Sequence, residues 1–396
     1  MVDLVDAPRR DRVQVVLRSA VAAWVLWLLW RTLLVGHEQV VVELHHYQLF
    51  DWLISYEGGF VRRGLAGELA TLGSRALEVS RAEVVLAVQA ASYATLAASV
   101  LWLVRRVVLT PALVLLLFAP FLFPFPVLST DAGFRKEVLA FAVMGVVAAG
   151  VASARSDVVR YRFLLGGVVA FVPVVLTHEL LVVLLPGLAV LGTRVAWDRR
   201  RARAVGLAVG AVVVAVVASF LAPGSDAQVA AICADLRASL PDTAPLDRCD
   251  HRSAVDWLRL GAGDGVASLQ RVWPRLGPSF AIAFPLVLLG VLPAVVETAR
   301  SLDRRTRRVW AIGALAGIAI NLPVFAIAID WGRFVYLHAV TATLAVLALR
   351  HARPAPALPR WASVGILAGL PAYAVGWHLK HTGNVFLGGW WDRLTG

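Results

Sequence analysis

The chain has 396 residues, of which 59% are hydrophobic and only 16% charged, and its mean hydropathy is +0.74. These values exclude an ordinary soluble domain. The net charge of +12 sits mainly in short arginine-rich connections between apolar runs, a pattern that orients membrane helices and excludes nucleic acid as a partner.

Apolar runs of about 17–25 residues recur along the chain, the length a helix needs to cross a bilayer. The alternating strands of a barrel are missing. We read an all-α polytopic integral membrane protein, a single transmembrane domain over 1–396, with about eleven spans. The first, 18–36, follows Pro8-Arg-Arg-Asp-Arg12 without a small-residue cleavage pattern, so it is a retained helix rather than a signal peptide. A long loop over 37–81 then holds an interfacial helix in which Gln48, Asp51 and Ser55 share one face, with the His45-His46 pair at the interface. Spans follow at 82–104, 107–128 and 137–154. The stretch 163–197 is too long for one span and carries arginine on both flanks, so we read it as a hairpin, 163–177 and 180–197, with His178-Glu179 at the tip.

After the span 204–222 comes a polar loop, 223–277, expected to form a small helical cap. It holds the chain's two cysteines, Cys233 and Cys249, which a loop outside the membrane would pair as a disulfide, two free thiols being the alternative. The last spans are 278–298, 309–329, 334–349 and 361–379, with the Trp390-Trp391 pair at an interface. Placing the arginine-rich connections inside puts the amino terminus in the cytoplasm and leaves the outer loops slightly acidic.

On that threading every conspicuous polar motif falls on the outer face. Three tips combine an acid, a glycine and a base: Glu57-Gly-Gly with Arg62-Arg63, Asp131-Ala-Gly with Arg135-Lys136, and Asp330-Trp331-Gly with Arg333. Glycine lets the backbone turn sharply, and guanidinium forks match phosphate oxygens. Arg62, Arg63, Arg135, Lys136 and Arg333 are therefore candidate ligands of a phosphate or pyrophosphate, with Asp330 and Trp331 as candidate positioning residues for a donor or acceptor; the alternative is that each acid pairs with an arginine and ties the hairpin tips together. His178-Glu179 reads as an acid–base pair, a metal-ligand pair or a polar knot; adjacent helical residues diverge by about 100°, so a shared target needs a helix break. For transfer to a hydroxyl, Asp51 is the first candidate base, with Asp131 and Glu179 in reserve and His178 a candidate through its pair with Glu179.

This pattern resembles the GT-C class of membrane glycosyltransferases. The resemblance is architectural, and it implies a catalytic acid in the first outer loop, here Asp51 or Glu57. It implies as donor a polyprenyl-phosphate-linked sugar, whose phosphate would meet Arg62, Arg63, Arg135, Lys136 and Arg333. An envelope glycan, glycolipid or protein would be the acceptor, in a bacterial plasma membrane with the site facing outward. No cofactor is specified, and a divalent cation stays open. The chain departs from the class in having no adjacent acidic pair in its first loop. Two other readings stand beside it: a polymerase or ligase using polyprenyl-pyrophosphate donors, which would rest on His178 and Glu179, and a transporter or flippase of lipid-linked substrates.

Overall fold

The computed structural model describes residues 7–251, 253–350, 359–382 and 385–387, and the Trp390-Trp391 pair lies outside them. The protein is an all-α polytopic membrane protein, with seven helices among the described residues long and apolar enough to span a bilayer. Helix α1 (Ala7–His37) continues through a π turn over Glu38–Val42. Two short helices, α2 (Gln48–Leu53) and α3 (Leu65–Leu77), occupy the first loop. Helix α4 (Arg81–Val104) starts at a capping box in which Ser80 and Glu83 satisfy each other's amides.

The span expected over 107–128 is instead broken into α5 (Pro111–Leu117), α6 (Phe125–Leu128) and α7 (Thr130–Gly133), joined by turns. Pro120, Pro124 and Pro126 follow one another too closely for a continuous helix, since each removes an amide donor and crowds the preceding turn. Phe121, Leu122 and Phe125 of this stretch are fully buried. Irregular backbone at membrane depth is tolerated when protein, rather than lipid, surrounds it.

Helices α8 (Glu137–Ser153) and α9 (Asp157–Thr177) pack with α4 as the centre of the bundle. A Cβ on Gly167 of α9 would lie 2.3 Å from Val147 of α8, so the two helices approach through a small residue. The chain reverses at His178, whose extended backbone ends α9. A 3-10 turn over Glu179–Leu184 leads into α10 (Leu185–Leu191), and the Ala196 amide then donates to Asp157 Oδ1 at 2.7 Å, back at the start of α9. The segment is thus a hairpin with an irregular second arm.

Helix α11 (Arg199–Leu221) leads to the cap, which contains α12 (Asp226–Ser239) and the Cys233–Cys249 disulfide. Helix α13 (Ala262–Ser301) begins well before the expected span at 278, so the end of the cap loop, from Ala262 on, is helical. Then come α14 (Arg304–Ile327), α15 (Trp331–Arg350) and α16 (Arg360–Val375). The last span ends short of 379, and β1 (Trp377–Leu379) pairs antiparallel with β2 (Val385–Leu387). At the far end of the bundle from these turns, Arg350 Nη1 meets Glu297 Oε2 at 3.0 Å and Thr110 Oγ1 donates to the same oxygen at 2.5 Å, all buried.

Helix α2, expected as an interfacial helix, is enclosed by protein. All six of its residues are buried. The Gly67 amide donates to Ile54 O at 3.1 Å, and a Cβ on Gly67 would lie 2.2 Å from that oxygen. Gly67→Ala is therefore expected to lower the melting temperature by separating α3 from the end of α2, at a cost of about 1–3 kcal/mol. Gly166→Ala, where a Cβ meets nothing within 4 Å, is the matched control and should be near neutral in the same melt.

Candidate functional site

Four distant parts of the chain meet at one end of the bundle, next to the cap. Helix α2 carries Asp51. The turn after it carries Arg63 in a left-handed conformation, φ +68°, just past the positive-φ pair Gly58 and Gly59. The α7–α8 junction supplies Arg135, Lys136 and Glu137; the break after α9 supplies His178 and Glu179; the start of α15 supplies Asp330 and Arg333.

The junction is held rigidly. Gln48 Nε2 donates to Thr130 O at 2.5 Å, while Trp52 Nε1 and Gln89 Nε2 both donate to Phe134 O, at 2.8 and 2.7 Å. Tyr93 donates its hydroxyl to Gly133 O. Helices α2 and α4 thus fix the backbone that presents Arg135 and Lys136.

Within the cluster the charges divide into two kinds. Arg63 is engaged by Glu179, with Nε and Nη2 both donating to its carboxylate, at 2.7 Å for the shortest contact. Arg333 is engaged on three sides: Nε donates to Glu137, Nη1 to Asp330 at 3.1 Å, and Nη2 to His178 Nε2 at 3.1 Å. Accepting from a guanidinium requires that histidine nitrogen to be bare, which leaves the imidazole neutral. These saturated pairs tie the turn before α3, the start of α8, the break after α9 and the start of α15 together.

Three groups stay underused. Asp51 is fully buried, yet neither carboxylate oxygen has a hydrogen-bond partner among the described residues. Its nearest ion-pair contact is Arg135 Nε, a loose 3.6 Å, and Arg135 Nη1 is 4.0 Å from Asp330. Lys136 is also fully buried, and of the three donors an ammonium carries, one reaches Arg63 O at 3.0 Å. Burial alone would raise the Asp51 pKa, but Lys136, Arg135, Arg63 and Arg333 hold the carboxyl down at about 2. Burial pushes Lys136 down to about 8, against the opposing pull of Asp51. Toward the surface, Asp330 is a quarter exposed, and Asp131 lies 3.8 Å from His381 Nδ1.

Several residues singled out in the sequence lie elsewhere. Arg62 turns away from its neighbour and donates through Nη2 to the carbonyls of Trp257, Leu258 and Leu260 at 2.7–3.0 Å, so it fastens the cap. Glu57 is exposed on the turn beside α12. Trp331 joins an aromatic group, stacking on Phe280 at 4.0 Å and meeting Phe325 and Trp273 edge-on or tilted. Two participants were missed. Glu137 was visible as an acid opening an apolar helix directly after Arg135-Lys136. His381, whose carbonyl accepts from the amides of Gly332 and Arg333, had no sequence signal because it follows a span 200 and more residues from its partner Ser129. No group of three or more His, Cys, Asp or Glu among the described residues is arranged to hold a metal ion.

A family model described as "Uncharacterised membrane protein Rv1490" matches residues 19–246, more than half of the chain, and the chain belongs to that family. The matched stretch contains Asp51, Arg63, Arg135, Lys136, His178 and Glu179, and stops before Asp330 and Arg333. Neither a curated protein nor a solved structure matches the chain.

Proposed function

We propose that this member of the family is a GT-C-type glycosyltransferase that moves a sugar from a polyprenyl-phosphate-linked donor to a hydroxyl of an envelope glycan, glycolipid or protein. The observation that carries the reading is the Asp51 carboxylate, buried beside Arg135 and Lys136 with no hydrogen bond to either oxygen, in a cluster whose other buried acids are hydrogen-bonded to arginine. In the reaction the acceptor oxygen bonds to the anomeric carbon as its proton passes to Asp51, and the bond from that carbon to the phosphate oxygen breaks. The leaving phosphate gains a second negative charge, which Arg135 and Lys136 stabilise more strongly than the charge it bore in the donor. That added charge offsets the cations that hold Asp51 acidic, so the carboxylate becomes a better base when the donor is bound.

Glu179 is engaged by Arg63 through both oxygens, which favours Asp51 over the His178-Glu179 pair as base and the monophosphate donor over the pyrophosphate alternative. In this reading the site faces outward from a bacterial plasma membrane, because the arginine-rich connections lie at the other end of the bundle. Incubating the purified protein with radiolabelled polyprenyl-phosphate sugars and envelope glycan tests the proposal. Label should pass to glycan with wild type and fail to pass with Arg135→Ala; retention of all label on the lipid by wild type, across the donor sugars, overturns it.

The buried ammonium sets a pH dependence. Lys136 is charged below about pH 8 and neutral above it, and only the charged form assists a phosphate. Affinity for a polyprenyl-phosphate sugar, whose phosphodiester carries one charge across this range, is expected to be flat below pH 7 and to fall by about tenfold per unit above pH 8. Titration calorimetry in buffers of different ionisation enthalpy should show proton uptake on binding in that range. Lys136→Arg, charged throughout, should flatten the profile.

A further inference from the structure

Beside the cluster, between the first loop and the cap, lies an open cleft of about 590 Å3 lined by His46, Tyr47, Asp247, Arg248 and His251. Its floor is the turn entering α2. The Tyr47 carbonyl accepts from the Asp51 amide at 3.3 Å, so the floor stands one helical turn from the proposed base. Its rings are ordered as a platform: His45 stacks on His46 at 4.6 Å, and His46 meets Tyr47 at 4.9 Å. The Tyr47 hydroxyl is fixed by Trp257 Nε1 at 3.4 Å.

The opposite wall is a 3-10 turn over Leu246–Arg248 that runs directly into Cys249, and the disulfide to Cys233 anchors it to α12. The cap itself is clamped onto the first loop. Arg62 reaches three cap carbonyls, Gln228 Nε2 donates to Phe60 O at 3.2 Å, and Arg81 pairs with Asp235 through both oxygens, at 2.5 and 3.0 Å. The cleft is therefore a built feature, with walls from two separate chain segments held at a fixed spacing.

The chemistry of the walls selects a class of ligand. One carboxylate and one guanidinium stand side by side, so the lining has no net charge to favour a phosphate. Burial, with His45 and Arg248 nearby, lowers the His46 pKa to about 4, which leaves an uncharged ring at neutral pH. Adjacent acceptor and fork-shaped donor groups suit vicinal hydroxyls, and flat uncharged rings suit the apolar face of a pyranose or furanose. An apolar lipid tail would leave the Asp247 and Arg248 heads unsolvated.

We propose that this cleft is a saccharide subsite that holds the acceptor glycan, with His46 and Tyr47 as stacking residues and Asp247 and Arg248 as hydroxyl ligands. The inference rests on the transferase reading for the word acceptor, while sugar binding at the cleft can be measured without any transfer.

The test is saturation-transfer NMR on the full chain in nanodiscs, with maltotriose, mannotriose and arabinotriose as probes. At least one trisaccharide should receive saturation, and Arg248→Ala and Tyr47→Ala should each weaken its binding tenfold or more. Arg248 is exposed, so its variant keeps the fold, and a thermal melt of each variant checks this. Gly166→Ala, where an added Cβ meets nothing within 4 Å, should bind the trisaccharide as wild type does. Polyprenyl-phosphate binding, run in parallel, should be unchanged in the cleft variants. No saturation with any of the three probes, or equal binding by both cleft variants, overturns the subsite. Loss of the transferase reading appears separately, as donor binding indifferent to Arg135→Ala.

Discussion

Asp51→Asn should stop sugar transfer while leaving the protein folded and able to hold its donor. The amide is isosteric and uncharged, so α2 keeps its packing and its contacts through Gln48 and Trp52 to the α7–α8 junction. What disappears is the only acid of the cluster whose oxygens are buried and both unbonded. A general base contributes about 10²–10⁴ in rate, and single-turnover transfer should fall by that amount. Donor affinity should hold at pH 6, where Lys136 stays charged and no carboxylate competes for Arg135, while the loss of Asp51's pull on Lys136 moves the high-pH fall in affinity to lower pH. The pairing of lost turnover with preserved binding separates a base from a structural acid. Glu57→Gln, on the exposed turn, should transfer at the wild-type rate. Transfer by Asp51→Asn within fivefold of wild type would remove Asp51 from the chemistry.

The sequence made the gathering of polar motifs visible because charge beside hydrocarbon is costly and so marks itself. Arg63, Arg135, Lys136, Arg333, Asp51, His178 and Glu179 were all nameable that way, and all meet. Of their partners only the acid within a motif was nameable, as Asp330 is for Arg333. Nothing local distinguishes Arg62 from Arg63, yet a left-handed backbone at Arg63 sends one side chain to Glu179 and the other to the cap carbonyls. Hydropathy likewise gave a full span over 107–128, since the same apolar residues serve a buried broken segment as well as a helix facing lipid; the three prolines were the signal to weigh more heavily. The burial of α2 was hidden for a related reason. An amphipathic pattern reports that two faces differ, and a polar face can meet a polar protein interior as readily as water.

The division of the cluster into saturated and underused groups makes opposite predictions for two arginines that looked alike in sequence. Arg333→Ala should chiefly destabilise the protein. It strands Glu137, which is 4% exposed and already has one unbonded oxygen, and it removes the donors that Asp330 and His178 accept from. Removing one partner of a buried ion pair costs about 3–5 kcal/mol, which for a chain of this length corresponds to a fall in melting temperature of about 4–6 °C. Arg333→Lys should not restore it, because one ammonium cannot span three acceptors set around a planar fork. Arg333→Met combined with Glu137→Gln should recover part of the loss, since the stranded charge goes with its partner. Arg135→Ala, by contrast, breaks only contacts of 3.6 and 4.0 Å and should melt close to wild type while losing donor affinity. If Arg333→Ala melted as wild type and lost only donor affinity, Arg333 would be a phosphate ligand, as its sequence motif first suggested, and the frame would have to be held by Arg63 and Glu179 alone.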